Sequence, residues 1–198
     1  MTSICVFCGS SPGRNPDHMS LAQATGRLIA QRGNRLVYGG GGLGLMGALA
    51  RAAHNEGGDV LGIIPELLAE VEKTFTDISY RIVTNIQARK MMMFDESDAF
   101  IVLPGGIGTL EEAIDVLSWM RLNIHAKPLV FLDNTDYWTP LIKTMKDFIT
   151  EGFAPETLAL DLHQASTPEL ALGIIDKVMA APRERAPLNL KARPESQA

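Results

Sequence analysis

Apolar residues in this chain occur in short continuous runs, separated by stretches where they recur every three or four positions. Runs at 4–7 (Ile4-Cys5-Val6-Phe7), 35–38, 59–64, 99–103 and 129–132 have the texture of strands buried on both faces. Between the first two, Leu21, Leu28 and Ile29 recur at helical spacing and Gly33 stands where a C-terminal cap belongs. That predicts a helix over 17–31. The same reasoning predicts helices over 44–56, 87–96, 109–122, 137–151 and 168–179. Residues 66–84 carry only a loop and one strand near 80–83. Strands alternating with helices predict an α/β fold, with a doubly wound, mainly parallel sheet and helices on both faces.

In such a sheet ligands bind beyond the carboxyl ends of the strands. Three glycine- or serine-rich loops follow predicted strands: Gly9-Ser10-Ser11 after Phe7, Gly39-Gly40-Gly41-Gly42 after Tyr38, and Pro104-Gly105-Gly106-Ile107-Gly108-Thr109 after Leu103. All three are expected on one rim. In the last, Gly105, Gly106 and Gly108 can take backbone angles closed to other residues and let an anion approach the main chain. Thr109 opens a helix whose free N–H groups and dipole favour negative charge. This is a phosphate site in outline.

Glu112 reads two ways. Thr109-Leu110-Glu111-Glu112 is a T-x-x-E capping box, in which Glu112 bonds back to the Thr109 backbone. Equally, it is a carboxylate one helical turn from a bound phosphate, where the sugar of a nucleotide would lie. Gly42-Leu43-Gly44-Leu45-Met46-Gly47 matches the dinucleotide pattern G-x-G-x-x-G, with Glu66 near the distance of a ribose-binding acid. It follows the second strand rather than the first, and close packing of the helix on the sheet would also ask for these glycines. Arg89-Lys90 precedes the strand that feeds the phosphate loop. It is either a solvated basic pair or a source of positive charge for phosphate or leaving group.

Length and composition narrow the choices. The 198 residues suit one domain, placed at 1–181, and the polar, Pro-containing stretch 182–198 is expected to be a disordered tail. A net charge of −5 argues against nucleic acid or an anionic membrane as partner, but not against a small anion held by a few donors. No run approaches the ~18 apolar residues of a membrane span, and Met1-Thr2-Ser3 lacks a signal-peptide pattern, so the expectation is cytoplasmic. Cys5 and Cys8 form a lone C-x-x-C, but three residues apart on a strand they face opposite ways, and no second pair completes a zinc site. No metal and no cofactor are expected, and the P-loop pattern of nucleotide triphosphatases is absent.

Taken together, Tyr38-Gly39-Gly40-Gly41 with Gly44-Leu45-Met46-Gly47, then Arg89-Lys90, then Pro104–Glu112 resemble the LOG ("lonely guy") family of cytokinin riboside 5′-monophosphate phosphoribohydrolases, often labelled lysine decarboxylases. Cys5-Val6-Phe7-Cys8-Gly9-Ser10-Ser11 and Ile124-His125-Ala126-Lys127-Pro128 are similar to family text as well. The resemblance runs over residues 3–180. It implies a Rossmann-like fold, a homodimer, and hydrolysis of the N-glycosidic bond of a nucleoside 5′-monophosphate to free base and ribose 5-phosphate. On that resemblance Arg89 and Glu112 are the catalytic candidates. Gly105, Gly106, Gly108, Thr109, Lys90, Ser10, Gly40 and Gly41 are the nucleotide-binding candidates. Ile86-Gln87 stands where the family often has Met-His, a departure that bears on base preference. The competing readings are an NAD(P)-binding oxidoreductase using residues 42–47, and a non-catalytic nucleotide-binding protein.

Overall fold

A computed structural model describes residues 1–69 and 71–181; the expected tail at 182–198 lies outside the described residues. The strands are β1 (Ser3–Phe7), β2 (Arg35–Tyr38), β3 (Val60–Pro65), β4 (Ser79–Val83), β5 (Ala99–Val102), β6 (Leu129–Leu132) and β7 (His163–Ala165). The helices are α1 (Pro16–Gln31), α2 (Gly44–Asn55), α3 (Glu66–Ala69), α4 (Ile86–Asp95), α5 (Ile107–Arg121), α6 (Thr139–Thr150) and α7 (Pro168–Ala180). One seven-stranded sheet runs in the order β4-β3-β2-β1-β5-β6-β7. Every pairing is parallel.

Alternation along each strand sends side chains to two separate cores. Ile4, Val6, Leu36 and Ile101 pack with residues of α1, α2 and α7 on one face. Cys5, Phe7, Val37 and Phe100 pack with Met93, Val116 and Met145 of α4, α5 and α6 on the other. Both layers are apolar, which is why the strands read as continuous runs rather than alternating ones. Cys5 and Cys8 fall in different cores and both are free thiols, so they do not form a redox pair.

Three elements escaped the sequence pattern, one of them a short 3₁₀ helix over Glu156–Leu160. β7 is three residues at the edge beside β6, too short and too polar to give a run. α3 and residues 71–75 form a strap across the loop after β2. Gly42 N–H donates to the Glu72 carbonyl at 3.0 Å, Phe75 N–H donates to the Gly40 carbonyl at 3.4 Å, and Thr74 makes an isolated antiparallel bridge with Gly41. Partners some thirty residues away hold this strap, so no local period announces it.

Candidate active site

The strand order reverses between β1 and β5, and the carboxyl ends there open a crevice. The loop after β1 is the keystone. Gly9 N–H donates to the Pro104 carbonyl at 3.1 Å, while the Gly9 carbonyl accepts from Leu45 N–H at 3.1 Å and Met46 N–H at 3.3 Å. Gly44 has φ +54°, and a side chain there would run into the Ser10 carbonyl. All three predicted loops are thus stitched together on one rim. A cavity of about 500 Å³ opens between them, lined by Ser10, Arg14, His18, Gly105, Gly106 and Tyr137 among others.

At the loop after β5 the structure corrects two expectations. First, α5 begins at Ile107 with Gly106 as its N-cap, two residues before Thr109, and no side chain caps it. Thr109 and Glu112 therefore do not form the capping box, and Glu112 sits within the helix. The amide groups of Gly106, Ile107, Gly108 and Thr109 have no acceptor among the described residues. Second, none of the three glycines takes a positive φ. A Cβ on Gly105 would collide with the Thr109 side chain, so that glycine serves packing. A Cβ on Gly106 or Gly108 would meet nothing within 4 Å. These two glycines are required neither by backbone angle nor by a neighbour, and they leave the orphan amides bare. A helix start with bare amides and no cap offers the free donors and the positive dipole end that an anion requires.

Beside it lies a charged cluster made of Arg89 on α4, Glu112 on α5 and Glu72 from the strap. Arg89 is 8% exposed; its Nη2 donates to the Gly39 carbonyl at 3.0 Å, and its buried Nε–H has no partner. Gly39 has no side chain because the guanidinium occupies that space. Glu112 is half-buried. Burial pushes its carboxyl up to about 7, with Glu111 and Glu72 adding to the rise and Arg89 opposing it. Glu72, carried in by the strap, presses against Gly41 and has a buried Oε2 with no partner. Burial raises its pKa too, and Arg89 opposes this. The cluster holds one unmatched donor, Arg89 Nε, and one unmatched acceptor, Glu72 Oε2. Buried polar atoms left this way are costly unless a ligand or water completes them.

The other predicted residues divide. Ser10 lines the cavity and Thr109 is buried behind Gly105. Gly40 and Gly41 lie buried under the strap; Gly40 has φ +79° and packs on Ile63 and Ile64. Lys90 reaches to Glu111 and, at 2.7 Å, to Asp115, both on α5. Burial disfavours its charge, but the two carboxylates outweigh that and raise its pKa. It ties α4 to α5. The glycines of the G-x-G-x-x-G segment answer to packing: a Cβ on Gly42 would strike the Lys73 carbonyl, and one on Gly47 the Gly42 carbonyl, while the Leu45 and Met46 amides are taken by the Gly9 carbonyl. Glu72, Arg14, His18 and Tyr137 were not anticipated. Glu72 sits in the stretch without a period, and Tyr137 reads locally as part of a helix.

Comparison with known proteins identifies the family. Residues 46–178 match the family model described as "Possible lysine decarboxylase". The cytokinin riboside 5′-monophosphate phosphoribohydrolase of Rhodococcoides fascians is 43% identical over 155 residues, 76% of this chain and 77% of that one. LOG of Oryza sativa subsp. japonica, named for the same activity, is 41% identical over 177 residues, 88% of this chain and 73% of that one. The solved molybdenum cofactor binding protein from Rippkaea orientalis superposes with a TM-score of 0.68 at 22% identity, covering 90% of this chain and 97% of that one. The Moco carrier protein from Chlamydomonas reinhardtii gives 0.68 at 22%, covering 90% and 98%. These two likenesses concern the fold. No helix of the described residues is long and apolar enough to cross a membrane.

Proposed function

The chain belongs to the LOG family, and on that premise we propose that it hydrolyses the N-glycosidic bond of a nucleoside 5′-monophosphate, releasing free base and ribose 5-phosphate. One observation carries the reading: bare amides at residues 106–109 adjoin a carboxylate–guanidinium cluster on the same rim. The amides take the phosphate, and the sugar then lies over Glu112, Arg89 and Glu72. A ribose hydroxyl both donates and accepts, so it matches the orphan Oε2 of Glu72 and the orphan Nε–H of Arg89.

Breaking the bond builds positive charge on the sugar ring. Ionised Glu112 stabilises that charge and draws a proton from the attacking water. The hydroxyl bonds to the anomeric carbon, the electron pair of the C–N bond leaves with the base, and the base takes up a proton. A carboxyl titrating near 7 suits a general base working at that pH. Arg89 supplies positive charge where phosphate and leaving group gather.

Two finer points belong to the same proposal. AMP and N6-prenylated AMP are both substrates. The chain acts as a homodimer through the apolar groove of about 420 Å³ between α5 and α6, where Ile114, Leu122, Phe148 and Phe153 are exposed. Incubation with AMP and with isopentenyladenosine monophosphate, followed by chromatography for free base, tests the activity. Binding of AMP without release of adenine or isopentenyladenine would make this chain a carrier instead. Light scattering tests the dimer; a monomer mass sinks it.

A further inference from the structure

The loop after β6 reaches across the sheet to the loop after β5. Asp133 shapes it: one carboxylate oxygen accepts from Thr135 N–H at 2.8 Å and Tyr137 N–H at 2.9 Å, and the other accepts from Trp138 N–H at 3.1 Å. So fixed, the Tyr137 hydroxyl donates to the Gly105 carbonyl at 2.6 Å. The ring is braced from both sides. His18 meets it edge-on at 5.6 Å, with its own Nε2 3.2 Å from Thr135 Oγ1, and Trp138 meets it edge-on at 4.9 Å.

The carbonyl so held belongs to the peptide that carries the Gly106 N–H. In a trans peptide the C=O and N–H point in opposite directions, and no cis bond occurs among the described residues. Anchoring the Gly105 oxygen therefore fixes the direction of the Gly106 N–H, one of the four bare amides. A hydrogen bond on the carbonyl also polarises the amide and strengthens its N–H as a donor. The anchored unit is the Gly105-Gly106 pair, the part of the loop with the most backbone freedom to lose. Tyr137 is 43% exposed, so water can replace its hydroxyl on the carbonyl at little cost to the fold. What water cannot supply is the fixed direction.

We propose that Tyr137 is a positioning residue that aims the Gly106 amide at the nucleotide phosphate. The proposal rests on the reading that residues 106–109 take the phosphate. The test is Tyr137→Phe, which keeps the ring against His18 and Trp138 and removes the hydroxyl. Three quantities are measured: AMP hydrolysis kinetics, calorimetric binding of ribose 5-phosphate, and thermal melting. The expected result is KM for AMP raised about fivefold to tenfold, the magnitude of one hydrogen bond's worth of binding. Ribose 5-phosphate should weaken by the same factor, with kcat within about twofold and a melting temperature within about 2 °C of the parent. A parent protein that does not bind ribose 5-phosphate overturns the phosphate reading itself. If the parent binds it, three outcomes overturn the role of Tyr137 alone: equal binding by the variant, a fall in kcat without change in KM, or a large drop in melting temperature.

Discussion

Two glycine-rich loops stand on the same rim of this sheet, and they are glycine-rich for opposite reasons. In the loop after β2 the protein itself occupies the space that side chains would need. The Arg89 guanidinium lies against Gly39, Ile64 against Gly40, Glu72 against Gly41 and the Lys73 carbonyl against Gly42. In the loop after β5, Gly106 and Gly108 face open space, at backbone angles any residue adopts. The first loop is glycine-rich because the fold closes over it. In the second, Gly105 serves packing, but nothing in the fold asks for Gly106 or Gly108, as on a surface kept bare for a ligand. Glycine content alone cannot tell these cases apart; the surroundings of the missing Cβ can. The match to a dinucleotide motif therefore belongs to the wrong loop, since the Leu45 and Met46 amides at the start of α2 already donate to the Gly9 carbonyl and the glycines are filled by the chain's own packing.

The sharpest way to break this contrast is to separate chemistry from fold. Glu112→Gln, on the helix that follows the loop after β5, should lower turnover by about 10²-fold or more without weakening AMP binding or lowering the melting temperature. If only the melting temperature moves, the catalytic assignment is wrong. The complementary change is Gly47→Ala, which drives a methyl into the Gly42 carbonyl. It should destabilise by about 1–3 kcal/mol in chemical denaturation through overpacking. An unchanged midpoint would show that this loop is not held as described.

pH offers a third probe. Because Glu112 acts ionised and titrates at about 7, kcat/KM should rise with pH through that value, and below it fall about tenfold per unit for a single ionisation. Stability runs the other way. The folded state keeps this proton to about 7 while the unfolded chain releases it near 4.5, so the folded form binds more protons between the two. Its stability therefore declines as pH rises across that window. Denaturation measured at several pH values in Glu112→Gln should lose this component; a parent profile flat in both rate and stability would contradict it. The smallest effect is Gly108→Ala. With open space and an ordinary φ there, alanine should stabilise the helix by up to about 0.5–1 kcal/mol while raising KM for AMP. Tighter AMP binding would refute the ligand-facing reading.

Much of this arrangement is visible in the linear sequence, for definable reasons. β1, β2, β3, β5 and β6 show because both faces of each are covered and nearly every residue is apolar. The rim position of Ser10 and the 104–109 loop follows from topology once the strands are placed. What hides is whatever only tertiary contact decides. The T-x-x-E text after Gly108 suggests a cap, yet the helix starts at Ile107 because the chain has already turned at Gly106. Lys90 reads as an anion ligand, but two carboxylates on α5 claim it. Glu72 comes to the cluster on a strap tied by backbone hydrogen bonds to Gly40 and Gly42. His18 and Thr135 meet across 117 positions of sequence. The roles proposed for Arg89 and Glu112 rest on family resemblance, since spacing leaves Glu112 undecided.

The seam between β1 and β5 has a consequence for how the protein comes into being. Strands β1 to β4 lie on one side of it and β5 to β7 on the other, and Ile4 pairs with Ala99. Just before that register, Ser3 and Asp98 bond across 95 positions of sequence. During synthesis the first four strands emerge with β1 exposed as an open edge until β5 leaves the ribosome. Closing so distant a pair is the entropically costly step of a parallel sheet. The rim that carries the glycine loops is built on that pair, so it is completed only when the two halves join. Until then the nascent chain carries an apolar edge of the kind that chaperones cover.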